Sequence, residues 1–195
     1  MRRPLDILTA LALILYPVAV YAGLNAWGVG TLAPLLLAMF VLRLLRSRPK
    51  APVFFPVAAL LALAGGLLAL LSWTLKQSGW LLWYPVAASL VLLGLFGWTL
   101  LRPPSFAERV ARLADPVLPP AAVVYTRNVT RIWCVFFFVN ALVALGTCLS
   151  GDLRLWTLYN GAISYALVGL LAGCEWLVRR KLRRRLRMAA PSVAA

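Results

Sequence analysis

Apolar residues in this chain come in long unbroken runs, not in the alternation of a sheet or the half-stripe of a soluble amphipathic helix. Residues 7–42 contain no Asp, Glu, Lys or Arg, and neither do 51–75, 77–101, 132–151 or 155–174. A helix needs about 20 mainly apolar residues to cross the hydrocarbon of a bilayer. The first run therefore has room for two short spans and a tight turn, and the other four for one span each. The pattern predicts spans over 5–22, 31–45, 53–75, 80–101, 132–149 and 155–178. The expected fold is all-α, a polytopic membrane bundle of six transmembrane helices. Residues 1–101 hold a four-span group, 102–131 a connector, 132–178 a two-span group and 179–195 a basic tail.

Turn and breaker residues fit these limits. Pro17 is expected to kink the first span by removing a backbone hydrogen bond, and Gly23, Asn25, Gly28 and Gly30 make the turn after it, beside Trp27. Pro49 and Pro52 end the second span. Gly65-Gly66, flanked by Ala62 and Ala69, permits close helix contact in the third. Trp73, Trp80, Trp83 and Tyr84 bracket the next turn as an interfacial aromatic belt. Arg2-Arg3, an apolar stretch and Val20-Tyr21-Ala22 before Gly23 also have the form of a secretory signal. The expectation is an uncleaved first span, because the spans that follow need an initial anchor. Tyr16-Pro17-Val18-Ala19, Phe55-Pro56-Val57-Ala58 and Tyr84-Pro85-Val86-Ala87 echo one another. A true repeat between spans one and four would have inverted topology, but matches this short arise cheaply among so many Ala, Val and Pro.

The connector is the one long stretch unsuited to lipid. Ser105 and Glu108 have the spacing of a capping box. Phe106, Val110 and Leu113 then recur with Arg109 and Arg112 opposite, which predicts a short amphipathic helix on the membrane face, ended by Asp115-Pro116. A second helix is expected from about Ala121, carrying Tyr125, Thr126, Arg127, Thr130 and Arg131 into the fifth span.

Charge orients the bundle. Eighteen of the twenty Lys and Arg lie at 2–3, 43–50, 102–131 and 179–187, on one side of the predicted topology, leaving Lys76 and Arg154 on the other. By the positive-inside rule both termini and the connector face the cytoplasm, with the basic tail held by anionic lipid. The net charge of +15 is thus a topology signal rather than a nucleic-acid footprint. The chain has no histidine, the commonest metal ligand and general base. Cys134, Cys148 and Cys174 lack the spacing of a metal or redox motif and read as small buried hydrophobes. Neither a metal nor a cofactor is expected, and Cys134, Ser105 and Thr126 have no histidine to activate them, which disfavours an enzyme.

Candidate functional residues are the polar groups inside apolar runs, because such groups are costly in lipid unless paired. They are Asn140 in the fifth span and Asn160, Ser164, Tyr165 and Glu175 in the sixth, with Tyr159 nearby. Asn160 and Ser164 share a helical face by their spacing, and Glu175 is placed to pair with Arg179. Arg102, Arg109, Arg112, Arg127 and Arg131 are candidates for docking an acidic partner.

The strings WYPVAASLVLLGLFGWTLLRPPS (83–105), AERVARL (107–113), LPPAAVVYTRNVTRIWCVFFFVN (118–140) and LWTLYNGAISYALVGLLAGCEWLVRR (155–180) resemble a family of uncharacterised bacterial polytopic inner-membrane proteins. Some members carry a DNA gyrase label, which cannot apply to a chain without a soluble ATPase domain. The resemblance implies an inner-membrane setting among enzymes of aryl-polyene and xanthomonadin-type synthesis, beside acyl carrier proteins and ketosynthases. It brings no catalytic residues with it. The expected function is an accessory protein of such a lipid-like acyl pathway, acting as a membrane platform or in product hand-over. The alternative is a transporter or flippase of an amphipathic product, with Asn140, Asn160, Tyr165 and Glu175 along its route.

Overall fold

The computed structural model describes residues 16–46 and 53–189, and every regular element among them is helical. In chain order these are α1 (Tyr16–Ala26), α2 (Gly28–Arg46), α3 (Phe55–Leu75), α4 (Gly79–Leu82), α5 (Tyr84–Leu101), α6 (Phe106–Arg112), α7 (Pro120–Leu149) and α8 (Leu153–Leu158). A π-helical turn, Tyr159–Ile163, then joins α8 to α9 (Ser164–Ala189). Five segments are long and apolar enough to cross a membrane: Gly28–Leu45, Phe55–Leu75, Gly79–Leu101, Pro120–Leu149 and Leu153–Lys181. They cover the second to sixth expected spans. Most of the first, 5–22, lies outside the described residues, as does the tail beyond 189.

The sequence explains the helix limits. Phe55-Pro56 and Tyr84-Pro85 each open a helix with proline in the first turn, where its missing N–H leaves no bond unmade. Two of the three aromatic-Pro echoes are therefore helix-start signals in their own right. Lys76 closes α3 in the left-handed conformation, φ 52°. Gly151, φ 70°, turns the chain after α7, and Asp152 caps α8 by accepting from the Arg154 and Leu155 amides at 2.8 and 3.1 Å.

Helix α2 packs along α3, α5 along α7, and α3 against α5, while α1 rests on α2 and on the α8–π segment. Side-chain size sets the first of these contacts. Gly65 lies against the Phe40 ring, so close that a Cβ there would stand 2.3 Å from its Cζ. Phe40 is itself held by Tyr16 and Tyr84, at ring separations of 6.2 and 5.3 Å. This cluster and the fully buried Trp156 form the core. The exposed surface is dominated by Leu, Val, Ile, Phe and Trp along the helix flanks, a surface compatible with burial in lipid.

Two contacts collect the basic segments. Phe54 meets Phe106 at 6.2 Å, and the Tyr125 hydroxyl donates to the Glu175 carbonyl at 3.3 Å. The start of α3, the connector and the Arg179 turn of α9 thus share one end. At the other end Leu82 meets Trp156 and Cys148. Lys76 and Arg154 belong to that opposite end.

The connector departs from expectation in its details. Helix α6 buries Ala107, Glu108 and Ala111 against the bundle and leaves Leu113 exposed. The capping box does not form: Ser105 makes no side-chain cap, and Glu108 pairs instead with Arg112 at 2.7 Å. The first amides of α6 find hydroxyls on neighbouring helices, Phe106 N–H donating to Thr99 Oγ1 at 2.9 Å and Ala107 N–H to Thr130 Oγ1 at 3.1 Å. Phe106 stacks on Phe96 at 4.1 Å, and Phe96 meets Phe137 edge-on at 5.1 Å. Tertiary partners, not local capping, fix this helix. The predicted second helix does run unbroken into the fifth span, as α7.

Candidate functional site: a polar constellation on an interhelical cavity

Asn140 lies nine residues from Arg131 and nine from Leu149 along α7, so it is about 14 Å from each at 1.5 Å per residue. That is midway along the charge-free part of α7. Its amide bonds three neighbours through both the nitrogen and the oxygen. Nδ2 donates to Ser89 Oγ of α5 at 2.9 Å, while Oδ1 accepts from Tyr159 OH at 3.1 Å and Ser164 Oγ at 2.9 Å. Three helical segments are tied together through one side chain.

Asn160 sits in the π turn, one step toward the opposite end. Its Nδ2 donates to Thr147 Oγ1 at 3.1 Å and to the Trp156 carbonyl at 2.9 Å. Its Oδ1 is buried and has no partner among the described residues, and the residue as a whole is 4% exposed. A buried acceptor left unmade costs about 1–3 kcal/mol. Widened π turns of this kind recur at functional positions. The Leu81 and Leu82 carbonyls, at the break between α4 and α5, accept from Tyr16 OH at 2.9 Å and from Trp156 Nε1 at 3.0 Å, which ties α1 and α8 to that break.

These groups surround a cavity of about 250 Å³. Tyr16, Tyr84, Phe136, Phe137 and Leu92 supply its apolar walls, and Ser89, Asn140, Asn160 and Ser164 its polar side. Tyr165, 38% exposed, also lines it. No charged side chain among the described residues lines it. Four of the five polar residues expected from the sequence therefore come together, although Asn160 and Ser164 serve different partners.

Glu175 stands apart. It lines a second groove of about 170 Å³ between α7 and α9, with Tyr125, Trp133 and Cys174. Its Oε1 lies 2.9 Å from Arg179 Nε, the expected pairing, at an angle outside hydrogen-bond geometry. Cys134, Cys148 and Cys174 are free thiols.

The five connector arginines cluster at the basic end, partly engaged with their own chain. Arg102 stacks on Trp98 at 4.9 Å. Arg109 donates to the Pro104 and Arg102 carbonyls at 2.8 and 3.5 Å, and Arg127 reaches the Leu100 carbonyl at 3.4 Å. Both thereby place positive charge at the C-terminus of α5, where the helix dipole favours it. Arg112 neutralises Glu108 and donates to the Pro116 carbonyl at 2.9 Å. Arg131 bonds Asn128 Oδ1 at 2.9 Å. All but Arg109 are exposed.

Sequence reasoning missed Ser89, Thr147, Thr99 and Thr130. Hydroxyls in apolar helices usually bond the carbonyl a turn back, so their presence alone signals nothing. Comparison of the chain with protein-family models, with curated proteins and with solved structures finds no match.

Proposed function

We propose that this is an integral-membrane accessory protein that takes an amphipathic, lipid-like molecule into the Asn140–Asn160 cavity and hands it onward. The observation that carries the reading is the cavity itself, with aromatic and aliphatic walls and one polar side built from Ser89, Asn140, Asn160 and Ser164. Ligand sites in helical bundles take this form. The resemblance to inner-membrane proteins supports placing it in the bacterial inner membrane, in an aryl-polyene or fatty-acyl pathway. The arginine distribution supports cytoplasmic termini and a cytoplasmic connector. The exposed arginines at that end suit an acidic partner such as an acyl carrier protein.

Ala88 lines the cavity, so Ala88→Phe should fill it without touching the polar network. A deletion strain complemented with wild type should recover its normal lipid and pigment profile, whereas Ala88→Phe, inserted at equal level, should leave the deletion profile unchanged. Full complementation by Ala88→Phe would remove the cavity from the function. Transport across the bilayer is the second reading, favoured by the mid-depth position of Asn140. Its route would include Asn140, Asn160 and Tyr165, and Glu175 only by way of the second groove. Asn160→Leu should then block product export while synthesis continues.

A further inference from the structure

The groove between α7 and α9 lies at the basic end of the bundle and is independent of the Asn140–Asn160 cavity. Val129, Ile132 and Trp133 form one wall and Leu171 and Val178 the other. Ile132 and Val178 are half exposed, so the groove is open along its side, where the helix flanks are apolar. Its rim is charged. Glu175 lines it, and Arg179, one turn on, stands 2.9 Å from Glu175 Oε1 at an angle that makes no hydrogen bond. Lys181 follows Val178 by three residues, which places it on the same flank of the helix.

These cations differ from those of the connector. Arg109, Arg112, Arg127 and Arg131 donate to groups of their own chain, whereas Arg179 and Lys181 donate no hydrogen bond to any described residue. Two cations with uncommitted donors meet one carboxylate, which leaves a surplus of positive charge beside an apolar slot. A guanidinium with free N–H groups pairs with phosphate bidentately, and basic pockets between transmembrane helices suit phospholipid head groups. A soluble anion would use the cations and leave the groove unfilled. A lipid without net charge would fill the groove and leave the surplus unmet. An anionic lipid answers both.

We propose that the α7–α9 groove binds one anionic phospholipid, its phosphate on Arg179 and Lys181 and the first part of one acyl chain against Trp133, Ile132 and Leu171. The volume, about 170 Å³, suits a short length of a single chain. Attraction of a basic tail to anionic lipid is general and has no fixed seat; the groove supplies one.

The test is photolabelling of the full-length chain in phosphatidylcholine nanodiscs. Each contains a small fraction of one of two probes with the same diazirine-bearing chain, a phosphatidylglycerol or a phosphatidylcholine. Labelling is read from the tryptic peptides 132–154 and 155–179, the latter extending to 180 in Arg179→Gln. On wild type the phosphatidylglycerol probe should label about fivefold or more above the phosphatidylcholine probe. Arg179→Gln should lower that labelling about fivefold, while Arg187→Gln, which removes an equal charge farther along the tail, should leave it within about twofold of wild type. Leu171→Trp, which fills the groove at unchanged charge, should lower it as Arg179→Gln does. Equal labelling by the two probes would overturn the proposal. So would equal losses from Arg179→Gln and Arg187→Gln, the mark of diffuse attraction, or undiminished labelling of Leu171→Trp. The comparison of the two charge variants stands even if Leu171→Trp fails to insert.

Discussion

Replacing Asn140 by leucine removes the side chain on which α5, α7 and the π–α9 segment converge. Three hydrogen bonds are lost, to Ser89, Tyr159 and Ser164. Side-chain bonds between transmembrane helices average about 0.6 kcal/mol and reach about 1.7, so the loss should be about 2 kcal/mol. The larger figure does not apply to every bond, because Ser89 keeps its bond to the Pro85 carbonyl and Ser164 can turn to a carbonyl in its own helix. An equilibrium shift of about thirtyfold follows from that energy. It is measurable by unfolding in mixed detergent–SDS micelles. Double-mutant cycles with Ser89→Ala and Ser164→Ala should each return a coupling of about 0.6 kcal/mol. Asn140→Leu within about 0.3 kcal/mol of wild type, with both couplings null, would refute the claim that this constellation holds the helices together.

Gly65→Ala should destabilise by about 1–3 kcal/mol, because the Phe40 ring it would strike is boxed in by Tyr16 and Tyr84; Gly66→Ala, whose Cβ would stand 3.7 Å from Phe40 Cβ, should be near neutral by the same unfolding assay. Thr130→Val orphans the Ala107 amide and should cost about 1–3 kcal/mol, seen as faster hydrogen exchange over 106–112. Arg102→Glu with Arg131→Glu should reduce recovery of an acidic acyl carrier protein in a pull-down, since these two arginines carry the least structural duty in the connector; undiminished recovery would count against docking there.

Much of this architecture is legible from charge-free run length alone, because lipid leaves so few alternatives to a helix. Asn140, Asn160, Ser164 and Tyr165 stand out for a related reason: an amide or hydroxyl in hydrocarbon needs a partner, so its presence announces a contact. Partner identity is another matter. Ser89 and Thr147 become visible only when α5, α7 and the π turn are side by side, and the π turn itself leaves no mark in the spacing of Tyr159–Ile163. The connector misled for the opposite reason. Ser105 and Glu108 have the local pattern of a cap, but Thr99 and Thr130 supply better acceptors for the α6 amides, and Arg112 claims the carboxylate. Long-range pairing overrode a short-range signal.

Native mass spectrometry of the protein, released gently from its own membrane, bears most directly on the central claim. Wild type should retain an amphipathic, lipid-like molecule of defined mass, and Ala88→Phe should emerge without it. A wild-type protein that emerges empty, or the same adduct on both, would contradict the account.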